Sequence, residues 1–218
     1  MQPGLLNLVY IIGRKQPSGI ALLGTAFAVG KQRIATTAHV AGATDKDLVM
    51  IVPRGDIGSY QDTTDNSVQT VDVSIAEYDP IKDIAILSFD GKIKFSQLSH
   101  TLGSIDETPV GTEIFTLGYP HADHGRMVLT YQRSDVGARI LLGSQGIKTK
   151  HMVLNSQARP GQSGSPIFNL AGNKVIAMLI GSYAPGGGGG ISLVGVDPAT
   201  LHQTTHAISA EYIGELLR

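Results

Sequence analysis

The sequence predicts an all-β protein: two β-barrels that share an interface, followed by a C-terminal helix. Three observations predict it. Short runs rich in Val, Ile, Leu, Thr and aromatic residues recur along the chain, each bounded by Gly, Pro, Asn or Asp. A polar stretch over 96–109 divides these runs into two groups of similar length, as a crossing between two barrels would. Only one segment, 210–217, has a convincing helical pattern. The 218 residues are enough to bury a core without disulfide staples, and all-β chains of this length often fold as one domain. The expectation is a single domain, with an N-terminal barrel over about 1–98 and a C-terminal barrel plus helix over about 110–218.

Taken in order, the first strand is 5–12. It is apolar, but no basic residue precedes it and no small-residue cleavage site follows, so it reads as a strand and not a signal peptide. Strands at 20–29, 33–37, 48–52, 68–76 and 85–89 follow. After the crossing come 113–117, 127–136, 152–156, 166–169, 175–180 and 191–196. The five glycines at 186–190 have no preferred conformation and predict a mobile loop. In the helix, Ser209 is the expected N-cap, Glu211 lies in the first turn, and Ile213, Leu216 and Leu217 form the apolar face.

A net charge of −1 favours neither nucleic acid nor an anionic membrane as a partner, and no run approaches the length of a transmembrane helix. The chain has no cysteine. That leans towards a reducing compartment and a cytoplasmic location, with secretion as the alternative if the chain is processed from something longer. No metal or cofactor is expected: His121-Ala122-Asp123-His124 lacks a zinc spacing. His100, His151, His202 and His206 read as ordinary surface or core residues.

The chemistry gathers at Arg159-Pro160-Gly161-Gln162-Ser163-Gly164-Ser165-Pro166. Two Gly and two Pro surround one Ser, and strand-like sequence follows. Such a turn can hold a hydroxyl outward while aiming backbone N–H groups into the same space, which is what a serine nucleophile needs. It can equally be a surface turn, so the decision rests on whether the chain supplies a base and an orienting acid. Two stretches do. Ile34-Ala35-Thr36-Thr37-Ala38-His39-Val40 ends a strand on a His, and Lys82-Asp83-Ile84-Ala85-Ile86-Leu87 sets an Asp before an apolar strand.

His39, Asp83 and Ser163 in that order, each in its own setting, resemble the trypsin/chymotrypsin-like serine peptidases, and among them the bacterial HtrA-type and glutamyl-endopeptidase-like enzymes. Gly24-Thr25-Ala26-Phe27-Ala28-Val29 resembles the strand leading to that family's His. Thr37-Ala38-His39, Asp83-Ile84-Ala85-Ile86-Leu87 and Gly161-Gln162-Ser163-Gly164-Ser165-Pro166 resemble its three catalytic motifs. Gly118-Tyr119-Pro120 and the tail around Ala207-Ile208-Ser209 are weaker echoes. The resemblance implies a chymotrypsin-like fold of two six-stranded antiparallel barrels with a C-terminal helix. It also implies a serine endopeptidase acting on a protein or peptide substrate. Because an unrestrained protease in the cytoplasm would be harmful, the cytoplasmic reading adds the expectation of one dedicated partner. Ser163 would be the nucleophile, His39 the base, Asp83 the group that orients it, and the N–H groups of Gly161 and Ser163 the oxyanion hole.

The S1 pocket implied by the family's architecture is walled by 155–160 and by the strand after the nucleophile, so that Gln157, Leu179, Ile180, Gly181 and Ser182 would line it. Gln157 stands where trypsin-like enzymes carry an Asp, and Leu179 where glutamyl-specific relatives carry a His. An uncharged P1 preference follows. Gln162 stands where trypsin-like zymogens carry an Asp that pairs with a newly cut N-terminus, which implies that no such switch operates here. The long stretch 183–205 beside the pocket is either a gating loop or a surface insertion. The competing functional readings are a catalytically silent protease-like binding module and an esterase. An α/β-hydrolase is disfavoured, because there the Ser comes first and leads into a helix.

Overall fold

The computed structural model describes residues 6–52, 59–90, 95, 98–183 and 204–218. Fourteen strands form two seven-stranded sheets among them. In the first, β1 (Val9–Gln16), β2 (Gly19–Gly30), β3 (Arg33–Thr36), β4 (Leu48–Val52), β5 (Gln69–Asp72), β6 (Ser74–Asp79) and β7 (Ile84–Ser88) run in the order β5-β4-β1-β2-β3-β7-β6. The sheet curls into a half-barrel, and among the described residues no ladder joins β5 to β6. In the second sheet are β8 (Thr101–Leu102), β9 (Glu113–Gly118), β10 (Thr130–Ser144), β11 (Ile147–Leu154), β12 (Pro166–Asn169), β13 (Lys174–Tyr183) and β14 (Thr204–Ser209). Pairing of β12 with both β9 and β13 closes six of them into a barrel, with β8 added in parallel on β13. This is the chymotrypsin-like architecture.

Three clusters of buried side chains explain the shape. One fills the N-terminal barrel (Ile12, Ile34, Met50, Leu87) and one the C-terminal barrel (Ile114, Met152, Ile167, Leu179). The third spans the seam, where Phe27, Ile84 and Ile86 of the first sheet meet Phe115, Tyr119 and Phe168 of the second. His100 is buried in this seam. One ring nitrogen lies 3.0 Å from the Ala28 carbonyl and the ring is edge-on to Phe168.

Several elements depart from the sequence reading, each for a physical reason. The segment 68–76 is two strands, because the chain turns a corner at buried Val73, whose N–H donates to the Leu48 carbonyl at 3.1 Å. β10 and β11 continue through 137–151 as a long hairpin closed by Gln145 and Gly146, both at positive φ (50° and 81°). The first strand begins at Val9, after a 3-10 turn over Leu6–Leu8. The C-terminal helix, α2, spans Glu211–Leu216 with Ala210 at its N-cap. Ser209 does not cap it: its hydroxyl accepts from the Ile105 N–H and donates to Glu211, fastening the crossing segment to β14. The glycines 186–190 and the strand expected at 191–196 lie outside the described residues.

Candidate active site

His39 sits on a four-residue helix, α1 (Ala38–Ala41), which follows β3 directly. Arg14 of β1 fixes the end of that turn, reaching the carbonyls of Ala41 at 2.7 Å and Thr44 at 2.9 Å. Asp83 precedes β7 at positive φ (56°), a conformation that Asp tolerates better than most residues. The turn before it is organised by Asp79, whose carboxylate accepts from the N–H groups of Ile81 and Lys82 and pairs with the Lys82 ammonium at 2.9 Å. β3 and β7 are hydrogen-bonded neighbours with Thr36 opposite Ala85, so the ends that carry His39 and Asp83 meet. They meet twice: His39 Nδ1 lies 2.7 Å from Asp83 Oδ2, and the His39 N–H donates to Asp83 Oδ1 at 2.9 Å. A carboxylate on Nδ1 fixes the proton there and leaves Nε2 as the basic atom. Thr37 Oγ1 lies 3.5 Å from that Nε2, and half of the His39 side chain is exposed.

The Ser163 turn is held by backbone bonds on every side. Gln162 N–H donates to the Arg159 carbonyl at 3.1 Å and Ser165 N–H to the Gln162 carbonyl at 3.0 Å. Gly164 N–H reaches Leu179 O at 2.8 Å, and Leu179 N–H reaches Ser165 O at 2.9 Å. His121 N–H donates to the Pro160 carbonyl at 2.6 Å, and Thr25 N–H to the Ser163 carbonyl at 2.8 Å. From Gly161 to Ser165 only the N–H groups of Gly161 and Ser163 donate to no acceptor among the described residues. These are the two expected in an oxyanion hole. Gly161 and Gly164 both adopt φ +86°, and a Cβ would lie 2.6 Å from the Tyr119 carbonyl in the first case and 1.9 Å from the Thr25 carbonyl in the second. Both positions therefore need glycine.

Gln162 is buried. Its side-chain carbonyl accepts from the Arg159 N–H at 2.8 Å and its amide faces Gln132 Oε1 at 3.4 Å, so the side chain closes the turn from within. The Ser163 hydroxyl donates to the Ile180 carbonyl at 2.8 Å. The His39–Asp83 pair thus stands at the β3 and β7 ends of the N-terminal sheet and the Ser163 turn at the start of β12 in the C-terminal one, with the Ser163 hydroxyl bonded to β13.

The other residues expected around the substrate are placed as follows. Gln157 is exposed, a Cβ at Gly181 would meet nothing within 4 Å among the described residues, and Ile180 contributes the carbonyl just named. Leu179 differs from expectation: its side chain is in the barrel interior with Met152 and Leu154, and it serves the turn through its backbone. Ser182 lies in β13. Three residues that sequence reasoning missed matter here. His121, at φ 63°, contributes the backbone N–H that holds Pro160. Thr205 ties the segment leading to the turn onto β14, its hydroxyl accepting from Ala158 N–H at 2.7 Å and donating to the Ser156 carbonyl. Thr25 joins the two halves through its N–H on the Ser163 carbonyl and its hydroxyl on the Gly161 carbonyl.

With this geometry in view, the comparisons with known proteins agree. The model of the trypsin-like peptidase domain matches residues 24–178, a span that holds His39, Asp83 and Ser163. No curated protein matches the chain in sequence. Among solved structures, the MamO protease domain from Magnetospirillum magneticum is similar over 100% of both chains, with TM-score 0.70 and 14% identity. The Rv3671c protease from M. tuberculosis in its active form has TM-score 0.66 and 20% identity, covering 98% of this chain and 81% of that one. The HtrA-type protease AlgW with a decapeptide has TM-score 0.66 and 18% identity, and this chain, covered over 96%, spans 63% of it. At such identities these likenesses speak for the fold, while the domain model, matching more than half of the sequence, speaks for the family. The chain belongs to the trypsin-like peptidase domain family.

Proposed function

We propose that the chain is a serine endopeptidase that cleaves peptide bonds of protein substrates through His39, Asp83 and Ser163. The observation that carries this reading is the His39–Asp83 pair at 2.7 Å beside a serine turn with two unclaimed N–H groups. The mechanism requires the Ser163 hydroxyl to leave the Ile180 carbonyl and turn towards His39 Nε2, and a rotation between staggered side-chain wells is a small step beside a chemical barrier. The oxygen then attacks the scissile carbonyl as Nε2 takes its proton. The tetrahedral oxyanion is received by the Gly161 and Ser163 N–H groups, and His39 returns the proton to the leaving amine. Water repeats the sequence to free the acid. The decapeptide that accompanies AlgW supports a peptide as the ligand class. Uncharged Gln157, at the position where trypsin-like enzymes carry an Asp, supports an uncharged P1 side chain.

One observation favours a second reading, a silent binding module: the hydroxyl in place donates to Ile180 and not to His39. A fluorophosphonate probe separates the two. Peptidase function predicts covalent labelling of Ser163 that disappears in His39→Ala, followed by turnover of peptides from an uncharged P1 library. A folded wild-type chain that resists the probe is a binding module.

A further inference from the structure

Thr25 lies within β2 of the N-terminal sheet and is fully buried. Every polar atom it has is engaged around the active site. Its N–H donates to the Ser163 carbonyl at 2.8 Å, and its carbonyl accepts from the Thr36 hydroxyl at 2.7 Å, three residues before His39. Its own hydroxyl donates to the Gly161 carbonyl at 2.8 Å and accepts from the Tyr119 N–H at 3.2 Å. A buried hydroxyl is costly without partners, and here both partners belong to the opposite barrel.

The value of that bond lies in what Gly161 must do. Glycine at φ +86° has more rotational freedom than any other residue, so the peptides on either side of it stay put only if something holds them. On one side the Pro160 carbonyl is tied to His121 N–H. Because the C=O and N–H of a trans peptide point in opposite directions, the Gly161 N–H is thereby aimed away from the His121 turn. On the other side the Gly161 carbonyl is tied only by Thr25 among the described residues. We propose that the Thr25 hydroxyl is a positioning group for the oxyanion hole: one side chain of the N-terminal barrel fixes the Gly161–Gln162 peptide, which links the two peptides that carry the donor N–H groups, and sets its spacing from the strand that leads to His39. This rests on the serine-peptidase reading above. Thr25 touches no reacting atom and acts through Gly161.

Thr25→Val and Thr25→Ser provide the test, since Val keeps the shape without the hydroxyl and Ser keeps the hydroxyl without the methyl. The measurement is inactivation of the full chain by a fluorophosphonate, resolved into a limiting rate and a half-saturating probe concentration. Thr25→Val is expected to lower the limiting rate roughly ten- to a hundredfold, the scale of a misaimed oxyanion donor, with little change in half-saturation. Thr25→Ser is expected to recover most of the loss. Wild-type rates in Thr25→Val, or equal losses in both variants, overturn the proposal. So does an equal slowing in Ile114→Val, a core change within the C-terminal barrel that reads general softening, when compared at matched loss of melting temperature. If the folded wild type takes no label, the peptidase reading fails and the positioning claim is judged by structure alone. A crystal structure and amide exchange of Thr25→Val should then show a turned Gly161–Gln162 peptide and a faster-exchanging Tyr119 N–H, and finding both unchanged overturns it.

Discussion

The two halves of the candidate site are held in different ways. On the N-terminal side, His39 and Asp83 are joined by a pair of contacts between a strand end and the start of its neighbour. On the C-terminal side, the Ser163 turn is fixed by at least six backbone bonds, from its own residues, from β13, from the His121 turn and from Thr25. The acid–base half depends on one carboxylate. The Ser163 turn is held redundantly except at the Gly161 carbonyl, which among the described residues only the Thr25 hydroxyl ties. Loss of a single group should therefore be severe on the first side and graded on the second.

The largest break in that contrast is Asp83→Asn. The amide can still accept the His39 N–H, but it then turns an NH2 towards Nδ1. That stabilises the tautomer whose proton sits on Nε2, the atom that must take the Ser163 proton. We expect kcat/KM to fall about 10⁴-fold, the loss seen when a triad carboxylate becomes an amide, with melting temperature almost unchanged. A loss of under about tenfold would mean that His39 is oriented by its backbone and by Thr37, and that Asp83 is dispensable.

A middle-sized effect is expected from Gln162→Met on the redundant side. The change leaves the Arg159 N–H without its acceptor inside the protein, a cost of about 1–3 kcal/mol in stability, read as a lower urea midpoint. The Pro160 and Gly161 carbonyls keep their ties to His121 and Thr25, so kcat should fall by roughly tenfold and not by the factor expected for Asp83→Asn. A loss as large as that of Asp83→Asn would show that Gln162 alone shapes the turn and that the redundancy is illusory.

How much of this was legible in the sequence follows the same division. His39, Asp83 and Ser163 announce themselves because each stands in a short local pattern: a strand end, a turn into an apolar strand, a Gly/Pro turn. The residues that hold the oxyanion turn do not, because their work is done across the fold. Thr25 and Gly161 are 136 positions apart, and although the Gly24–Val29 stretch is readable as a strand leading to His39, nothing in it tells that the Thr25 hydroxyl reaches Gly161. The His121 turn read as a failed metal motif, whereas its contribution is a backbone N–H that no side-chain pattern encodes. The same holds for elements. Residues 166–169 and 48–52 were readable as strands because burial imposes apolar runs on them. The 137–151 hairpin was not, because much of it stands in solvent, with Leu141 and Ile147 exposed, and burial leaves no alternation to read there.

The smallest predicted effect probes the region remote from both halves. His151 of β11 is buried, with one ring nitrogen 2.9 Å from the Thr149 hydroxyl and Nδ1 without a partner among the described residues. Burial, with His206 nearby, lowers its pKa to about 4. The unfolded chain, where His titrates near 6.5, therefore binds more protons than the folded one between those values. Stability should be fully present above about pH 6.5 and decline as the pH falls towards 4. His100, pushed down by burial in the seam, works in the same direction. His206, also pushed down by burial, adds a third contribution of the same sign. Replacing His151 with Gln removes one of the three while leaving His39, Asp83 and Ser163 in place. The urea midpoint of His151→Gln should fall less steeply than that of the wild type between pH 6.5 and 4, while the ratio of their kcat values stays constant across that range. Parallel slopes would place the acid sensitivity elsewhere. A kcat ratio that changed with pH would mean that the barrel wall around His151 is coupled to the oxyanion turn.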